Sequence, residues 1–442
     1  MRIGSVPSAE PQPTLSRPFA SGKLRVPNRF CAHPMEGCDA DNTGRPTDFT
    51  FRRYRRLAEG GTGLIWMEAC SVDPAGRGNP RQLMINEDTA DALAELAAET
   101  REHARNQKGE THEPAIVLQL THSGRYSRPN GSRSPQLVRR CMAPGETVGV
   151  SSGVGRLLAD DDLERIRDAY VHAAVLAEKC GFDAVDVKAC HGYLLHELLT
   201  ARMREDSCYG GSFERRTGLL KSIITSIREE CLDLAVVTRL CVFDNAPSPW
   251  GWGTNEVGEA DLEEPARLMR ELSELGIELV SLGFGNPYVS AHIGRPYDRP
   301  IQGDEPAPEC PLDSVLRILE LTQQIRRLVP GVPFVATGLS WLRHLAPYIG
   351  AGMVAEGWVD LVGFGRLSIA NPGFVNETLK NGRIASNRFC IGCSACVELM
   401  RGGGRSGCVV HDGEVYGPEY RKVIADRRET DHSSGADCPE EE

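Results

Sequence analysis

The sequence carries no excess of basic residues: 50 Lys and Arg stand against 61 Asp and Glu, a net charge of -11 over 442 residues. Nucleic-acid phosphates need a cationic footprint, so DNA and RNA are excluded as partners. Nor is there an apolar run approaching the roughly 20 residues of a membrane-crossing helix. The opening stretch, MRIGSVPSAEPQPTLSRPF, lacks the apolar core of a secretory signal, so a cytoplasmic protein without a membrane partner is expected. A convincing G-x-G-x-x-G turn is also missing, which argues against a doubly wound dinucleotide-binding sheet.

What is present is material for a large core. Apolar residues make up 40% of the chain and charged residues 25%, the proportions of a soluble globular protein. The 15 cysteines are scattered through strand-like and helix-like segments, with four clustered between residues 390 and 408. They do not form the disulfide framework of a small secreted protein. Residues 1–14 read as a disordered lead-in, and residues 426–442, charged and containing Ser and Gly, as a disordered acidic tail.

Between these ends, short apolar runs alternate with helical patterns. The runs fall at residues 30–35, 63–69, 115–121, 184–187, 235–241, 278–284, 333–338 and 361–366. Eight doubly buried strands, each followed by a helix, are what a closed parallel barrel requires. The expected fold is therefore α/β, a (β/α)8 TIM barrel over residues 15–385 with a C-terminal cysteine-rich extension over residues 386–425. Residues 124–158, rich in Gly, Ser, Pro and Arg, are the longest irregular segment, of the kind that lids use.

Chemistry concentrates in residues 184–216. The run Ala184-Val185-Asp186-Val187 ends in Lys188, Cys190, His191 and Tyr193, and the C-terminal rim of a parallel barrel is where side chains leave the packed interior and meet substrate. His191-Gly192-Tyr193-Leu194, then Tyr209-Gly210-Gly211-Ser212, then Glu214 with Arg215, resemble the old yellow enzyme family of flavin oxidoreductases. The resemblance runs from about Leu24 to Cys408. It implies a TIM barrel that binds FMN and reduces an activated C=C bond, in an enone or enoate, with NADH or NADPH by ping-pong hydride transfer.

The resemblance also implies roles. Tyr193 would be the proton donor, and His191 with Lys188 the donors to the acceptor's carbonyl oxygen. Elementary chemistry agrees: hydride arriving at the β carbon pushes charge onto that oxygen, and an acid must then quench the carbanion. Many relatives have His with Asn, or two His, where this chain has Lys188 and His191. The fixed charge of Lys188 points to an anionic small-molecule acceptor.

Arg239, in the middle of the apolar run AVVTRLC, is costly to bury without a charge to meet. The resemblance gives it the N1 edge of the flavin, sets His33, Pro34, Met35, Glu36 and Ala69 against the isoalloxazine, and puts Gln119 on the pyrimidine edge. Thr337-Gly338 and Gly365-Arg366 close two neighbouring strands, where glycine amides and an arginine fork suit a phosphate. The polar, aromatic loop from Asn286 to Pro296 is a candidate substrate face.

Cys390, Cys393, Cys396 and Cys408, spaced x2, x2 and x11, can converge on one centre. The spacing resembles the 4Fe-4S site of the dienoyl-CoA reductase and trimethylamine dehydrogenase branch, one residue shorter between the second and third cysteines. A four-cysteine zinc site is the rival. That branch continues into nucleotide-binding domains that this sequence lacks, so electrons are expected from NAD(P)H or from a redox partner protein. The alternative functions are a flavin-dependent amine or C-H dehydrogenase and a non-catalytic electron-transfer protein. A homo-oligomer is expected from the family.

Overall fold

The computed structural model describes residues 6–109, 112–139 and 155–434. Eight parallel strands form a closed barrel: β1 (Phe30–Ala32), β2 (Leu64–Ser71), β3 (Ala115–Thr121), β4 (Ala184–Val187), β5 (Ala235–Phe243), β6 (Val280–Phe284), β7 (Phe334–Ala336) and β8 (Leu361–Phe364). Each strand neighbours the next in sequence, and β8 returns to β1 with Val362 opposite Phe30. All eight expected strands are present, with ends shifted by a few residues.

A helix follows each strand: α1 (Asp48–Glu59), α2 (Ala90–Lys108), α3 (Asp160–Lys179), α4 (Phe213–Glu230), α5 (Glu263–Glu274), α6 (Pro311–Leu328), α7 (Ala346–Ala355) and α8 (Phe374–Asn381). Local chemistry sets their starts. Asp160, Asp161 and Asp162 open α3, where the helix dipole favours negative charge. Ser212 caps α4 by accepting from the Arg215 amide at 3.4 Å.

Every residue of β5 is buried, as a strand with the barrel interior on one face and helices on the other must be. The interior at the N-terminal end is filled by Leu64, Trp66, Val117, Val237, Val335 and Leu361. Leu24 and Val26, from a hairpin of Phe19–Ser21 with Leu24–Val26, pack into the same cluster and plug that mouth. Glu278, just before β6, fixes the plug by accepting from the Lys23 and Leu24 amides at 2.9 and 3.1 Å.

The cysteine-rich extension contributes α9 (Ala395–Arg401) and α10 (Gly413–Ser434). It is tied to the barrel rather than hung from it. The Ser406 amide donates to the Gly37 carbonyl at 2.6 Å, Arg53 donates to the Ser406 carbonyl at 2.7 Å, and Asp412 pairs with Arg52 and Arg56.

Two expectations change. The last four residues of the lead-in open a short helix, Pro11–Leu15, in which Pro11 is buried and Leu15, the first residue of the expected barrel, joins the core beside Phe30 and the barrel helices. The tail is helical as far as Ser434: Tyr416 and Val423 of α10 pack on Leu399 of α9, and the helix runs on past them through Asp426. Residues 435–442 lie outside the described residues, as do residues 1–5 and residues 140–154 of the expected lid. Among the described residues no helix is long and apolar enough to cross a membrane.

Leu24 is 0% exposed, and truncating a buried leucine costs about 2–5 kcal/mol. Leu24→Ala is therefore expected to lower the urea midpoint of unfolding with little change in slope; an unaltered midpoint would show that the plug adds no stability.

Candidate active site

The C-terminal ends of the strands converge on one buried carboxylate. Asp186, inside the barrel on β4, accepts from Trp66 Nε1 at 2.9 Å, from Gln119 Nε2 at 2.6 Å and from the Arg239 amide at 2.7 Å. Burial pushes its carboxyl up to about 6, against the pull of these three donors. Above this layer a cleft of about 750 Å3, its open mouth included, is lined by His33, Pro34 and Met35 after β1, His191 after β4 and Arg239 on β5. Thr337, Gly338, Gly365 and Arg366 complete it after β7 and β8.

Nine of the candidate residues therefore meet in one place. Lys188, Tyr193, Glu36, Ala69 and Gln119 do not line this cleft. Ala69 is buried in β2 opposite Gln119, and Gln119 is engaged with Asp186. Glu36 accepts a hydrogen bond from the Tyr193 hydroxyl at 3.1 Å. Lys188 points its ammonium at the Tyr193 ring, 4.0 Å from the centroid.

The turn after β4 is conformationally unusual. His191 has φ of +65° and Gly192 of +74°, a backbone region that a side chain disfavours. A Cβ on Gly192 would lie 2.6 Å from Asn286 Nδ2, so glycine is required there. The Gly192 amide donates to His196 Nδ1 at 2.8 Å, which anchors the turn and aims His191 into the cleft. On the opposite wall a Cβ at Gly363 would lie 1.9 Å from His33 Nε2, so only glycine lets that imidazole reach the Ala336 carbonyl at 3.0 Å.

The electrostatics sort the candidates by protonation. Burial, reinforced by Arg239 and Lys188, holds His191 well below its ordinary value, so its imidazole is neutral. Burial, reinforced by Glu36 and Tyr288, holds Tyr193 well above its ordinary value, so its phenol keeps its proton. Burial lowers Lys188, and Glu36 is the largest opposing influence. The side chains of Tyr193, Tyr288 and Tyr126 cluster, with Tyr126 and Tyr288 stacked at 3.6 Å.

The same cleft gathers cations. Burial and the neighbouring Arg366 bring Arg295 down to about 10. Arg239 Nε and Arg366 Nη1 are buried without a hydrogen-bond partner. Buried guanidinium nitrogens in that condition fit an anionic ligand, and the residues present suit a flavin phosphate at Gly338, Gly365 and Arg366 with Arg239 at the ring.

The sequence missed Phe284, Ser340 and Arg295 as lining residues, and Asp186 as their organiser. Arg295 lay within the loop marked as a candidate substrate face, whose Pro287 and Ala291 also line the cleft. A lone acidic residue in an apolar run was the available signal for Asp186.

Cys390, Cys393, Cys396 and Cys408 line one small pocket together with Arg366 and His411. Among the described residues, however, no three His, Cys, Asp or Glu side chains stand close enough to hold one metal ion. Neither the 4Fe-4S expectation nor its zinc rival finds support in this arrangement.

Comparison with known proteins now decides the family. Residues 14–279 match the model of the NADH:flavin oxidoreductase / NADH oxidase family. The chain belongs to that family. It is 29% identical over 378 residues to the NADH oxidase of Thermoanaerobacter brockii, covering 84% of this chain and 52% of the relative. It is 26% identical to the dimethylamine dehydrogenase of Hyphomicrobium sp. (strain x), covering 92% of this chain and 51% of the relative. It thus spans about half the length of these curated relatives. A 2-naphthoyl-CoA reductase structure superposes with a TM-score of 0.74 at 21% identity, covering 92% of this chain and 58% of that one, which carries the barrel fold.

Asp186 yields a pH signature. Its folded carboxyl binds a proton at a pH where the unfolded chain has released it, so its contribution makes stability fall as pH rises from about 4 to about 6. Asp186→Asn removes that contribution. The stability gap between wild type and variant is expected to narrow from pH 4 to pH 6 in denaturant titrations; a constant gap would contradict the assignment.

Proposed function

We propose that the protein is an FMN-dependent oxidoreductase that reduces an activated C=C bond with NAD(P)H. The observation that carries this reading is one strand end, after β4, presenting a neutral His191 at the cation-lined cleft with the protonated Tyr193 two residues further on. Gly338, Gly365, Arg366 and Arg239 would hold FMN, which would supply the hydride-transfer chemistry between nicotinamide and acceptor. The protein's part is to place and charge the acceptor. His191 donates a hydrogen bond to its carbonyl oxygen, which gains charge as the β carbon is attacked, and Tyr193 delivers a proton to the α carbon. The arginines of the cleft favour an acceptor carrying a carboxylate or an electron-rich carbonyl.

The closed barrel serves this chemistry by keeping water from the reacting atoms and holding the donors on rigid strand ends. Tyr193→Phe removes the proton and keeps the ring. It is expected to slow enone reduction by about 100-fold or more while NAD(P)H still bleaches the flavin in stopped-flow mixing; equal losses in both half-reactions would count against Tyr193 as the acid.

A second reading, amine oxidation with electrons passed to a partner, is favoured by the cysteine pocket. Its four thiols line one pocket that shares Arg366 with the flavin cleft, and four cysteines are the ligand number that an iron-sulfur cluster takes. Cys390, Cys393, Cys396 and Cys408 would hold that cluster, which supplies one-electron chemistry. Iron, sulfide and zinc are to be assayed on protein purified without oxygen, together with its visible spectrum. Four irons per chain and bleaching by an amine without NAD(P)H would select this reading, whereas an iron-free, flavin-loaded protein that amines leave oxidised would reject it.

A further inference from the structure

Tyr193 is held by more contacts than a simple acid needs. Its hydroxyl donates to Glu36 Oε1 at 3.1 Å and shares a hydrogen bond with the Tyr288 hydroxyl at 3.1 Å, while the Lys188 ammonium stands 4.0 Å from its ring. Glu36 follows β1, Tyr193 follows β4 and Tyr288 follows β6, so three separate loops converge on one phenolic oxygen. Tyr193 is only 5% exposed, whereas Glu36 and Tyr288 are half-buried. The hydrogen-bonded route from the buried phenol to solvent runs through these two groups.

The Glu36 loop is itself braced. The Gly37 amide donates to Glu68 Oε2 at 2.6 Å, and the Gly37 carbonyl accepts from the Ser406 amide at 2.6 Å. Bracing on both sides fixes the backbone next to the carboxylate. A loop built only to close a turn has no need of it.

A phenol that gives up its proton once per turnover must recover it, and a tyrosinate in a low-dielectric site must be stabilised until it does. We propose that Glu36 returns the proton to Tyr193, and that Lys188 holds the tyrosinate in the interval. This rests on the C=C reduction proposed above and deepens it. The Tyr193 O–H bond breaks as a C–H bond forms at the acceptor's α carbon, completing the addition of hydride and proton that NAD(P)H and solvent supply. Glu36, a carboxylate in the resting site, takes up a proton from hydronium in solvent and passes it along its hydrogen bond to the tyrosinate, which leaves Glu36 again the carboxylate to which the phenol donates. Lys188 acts through the ring face of Tyr193 rather than on the acceptor.

The test uses the FMN-loaded enzyme with NADPH and two acceptors: 2-cyclohexenone, which needs a proton on carbon, and a quinone, which takes its protons on oxygen. Glu36→Gln keeps the size and hydrogen bonding of the side chain but carries no proton. It is expected to lower the ratio of enone to quinone turnover at least tenfold and to raise the solvent deuterium isotope effect on enone kcat. Glu36→Ala is expected to show the same loss and to recover enone turnover when formate is added. An enone-to-quinone ratio within twofold of wild type in Glu36→Gln, or a Glu36→Ala enzyme indifferent to formate, would overturn the relay. A wild type that oxidises NADPH with quinone yet leaves the enone untouched would overturn the C=C reduction itself, and the relay with it.

Discussion

A carboxylate sealed inside a barrel is expensive unless donors surround it, and Asp186 has three: the Trp66 indole, the Gln119 amide and the backbone of Arg239. They come from β2, β3 and β5, so Asp186 on β4 ties four successive strands at the depth where packed interior gives way to cleft. The height of Arg239, the orientation of Gln119 and the launch point of the Lys188–Tyr193 turn all follow from satisfying this one group. Below it the barrel is apolar and plugged by Leu24 and Val26; above it the side chains are free to do chemistry.

The charges above that layer are arranged in two groups. Arg239, Arg295 and Arg366 face the cleft, where burial and mutual repulsion give them a demand for an anion. Lys188 is set apart from them, against the Tyr193 ring, with Glu36 as its principal opposing charge. One group suits the phosphate and reduced ring of a flavin. The other adjusts the acidity of a single phenol.

The cysteine-rich extension belongs to this site as much as to its own pocket. Ser406, two residues before Cys408, bonds to Gly37, which follows Glu36. Arg366 lines both the cleft and the cysteine pocket, and Arg295 donates to Ser394 Oγ at 3.3 Å between Cys393 and Cys396. A change at the four thiols therefore has short covalent and hydrogen-bonded routes to the flavin side of the barrel.

The sequence by itself determined the barrel, because burial on both faces forces each parallel strand into a short, almost wholly apolar run that recurs eight times. It also determined the rim, since His191, Gly338 and Arg366 sit where such runs end and Arg239 interrupts one of them, and the residue types declare the chemistry. Tertiary structure alone decided what those side chains face. The roles of Lys188, Glu36 and Gln119 depend on partners contributed by other strands and loops: Tyr193, Tyr288 and Asp186. No local pattern encodes that convergence. The same holds near the chain's ends: Leu15, where the expected barrel begins, and Val423, near the end of the expected extension, look unremarkable in their segments and are buried because a surface elsewhere in the chain receives them.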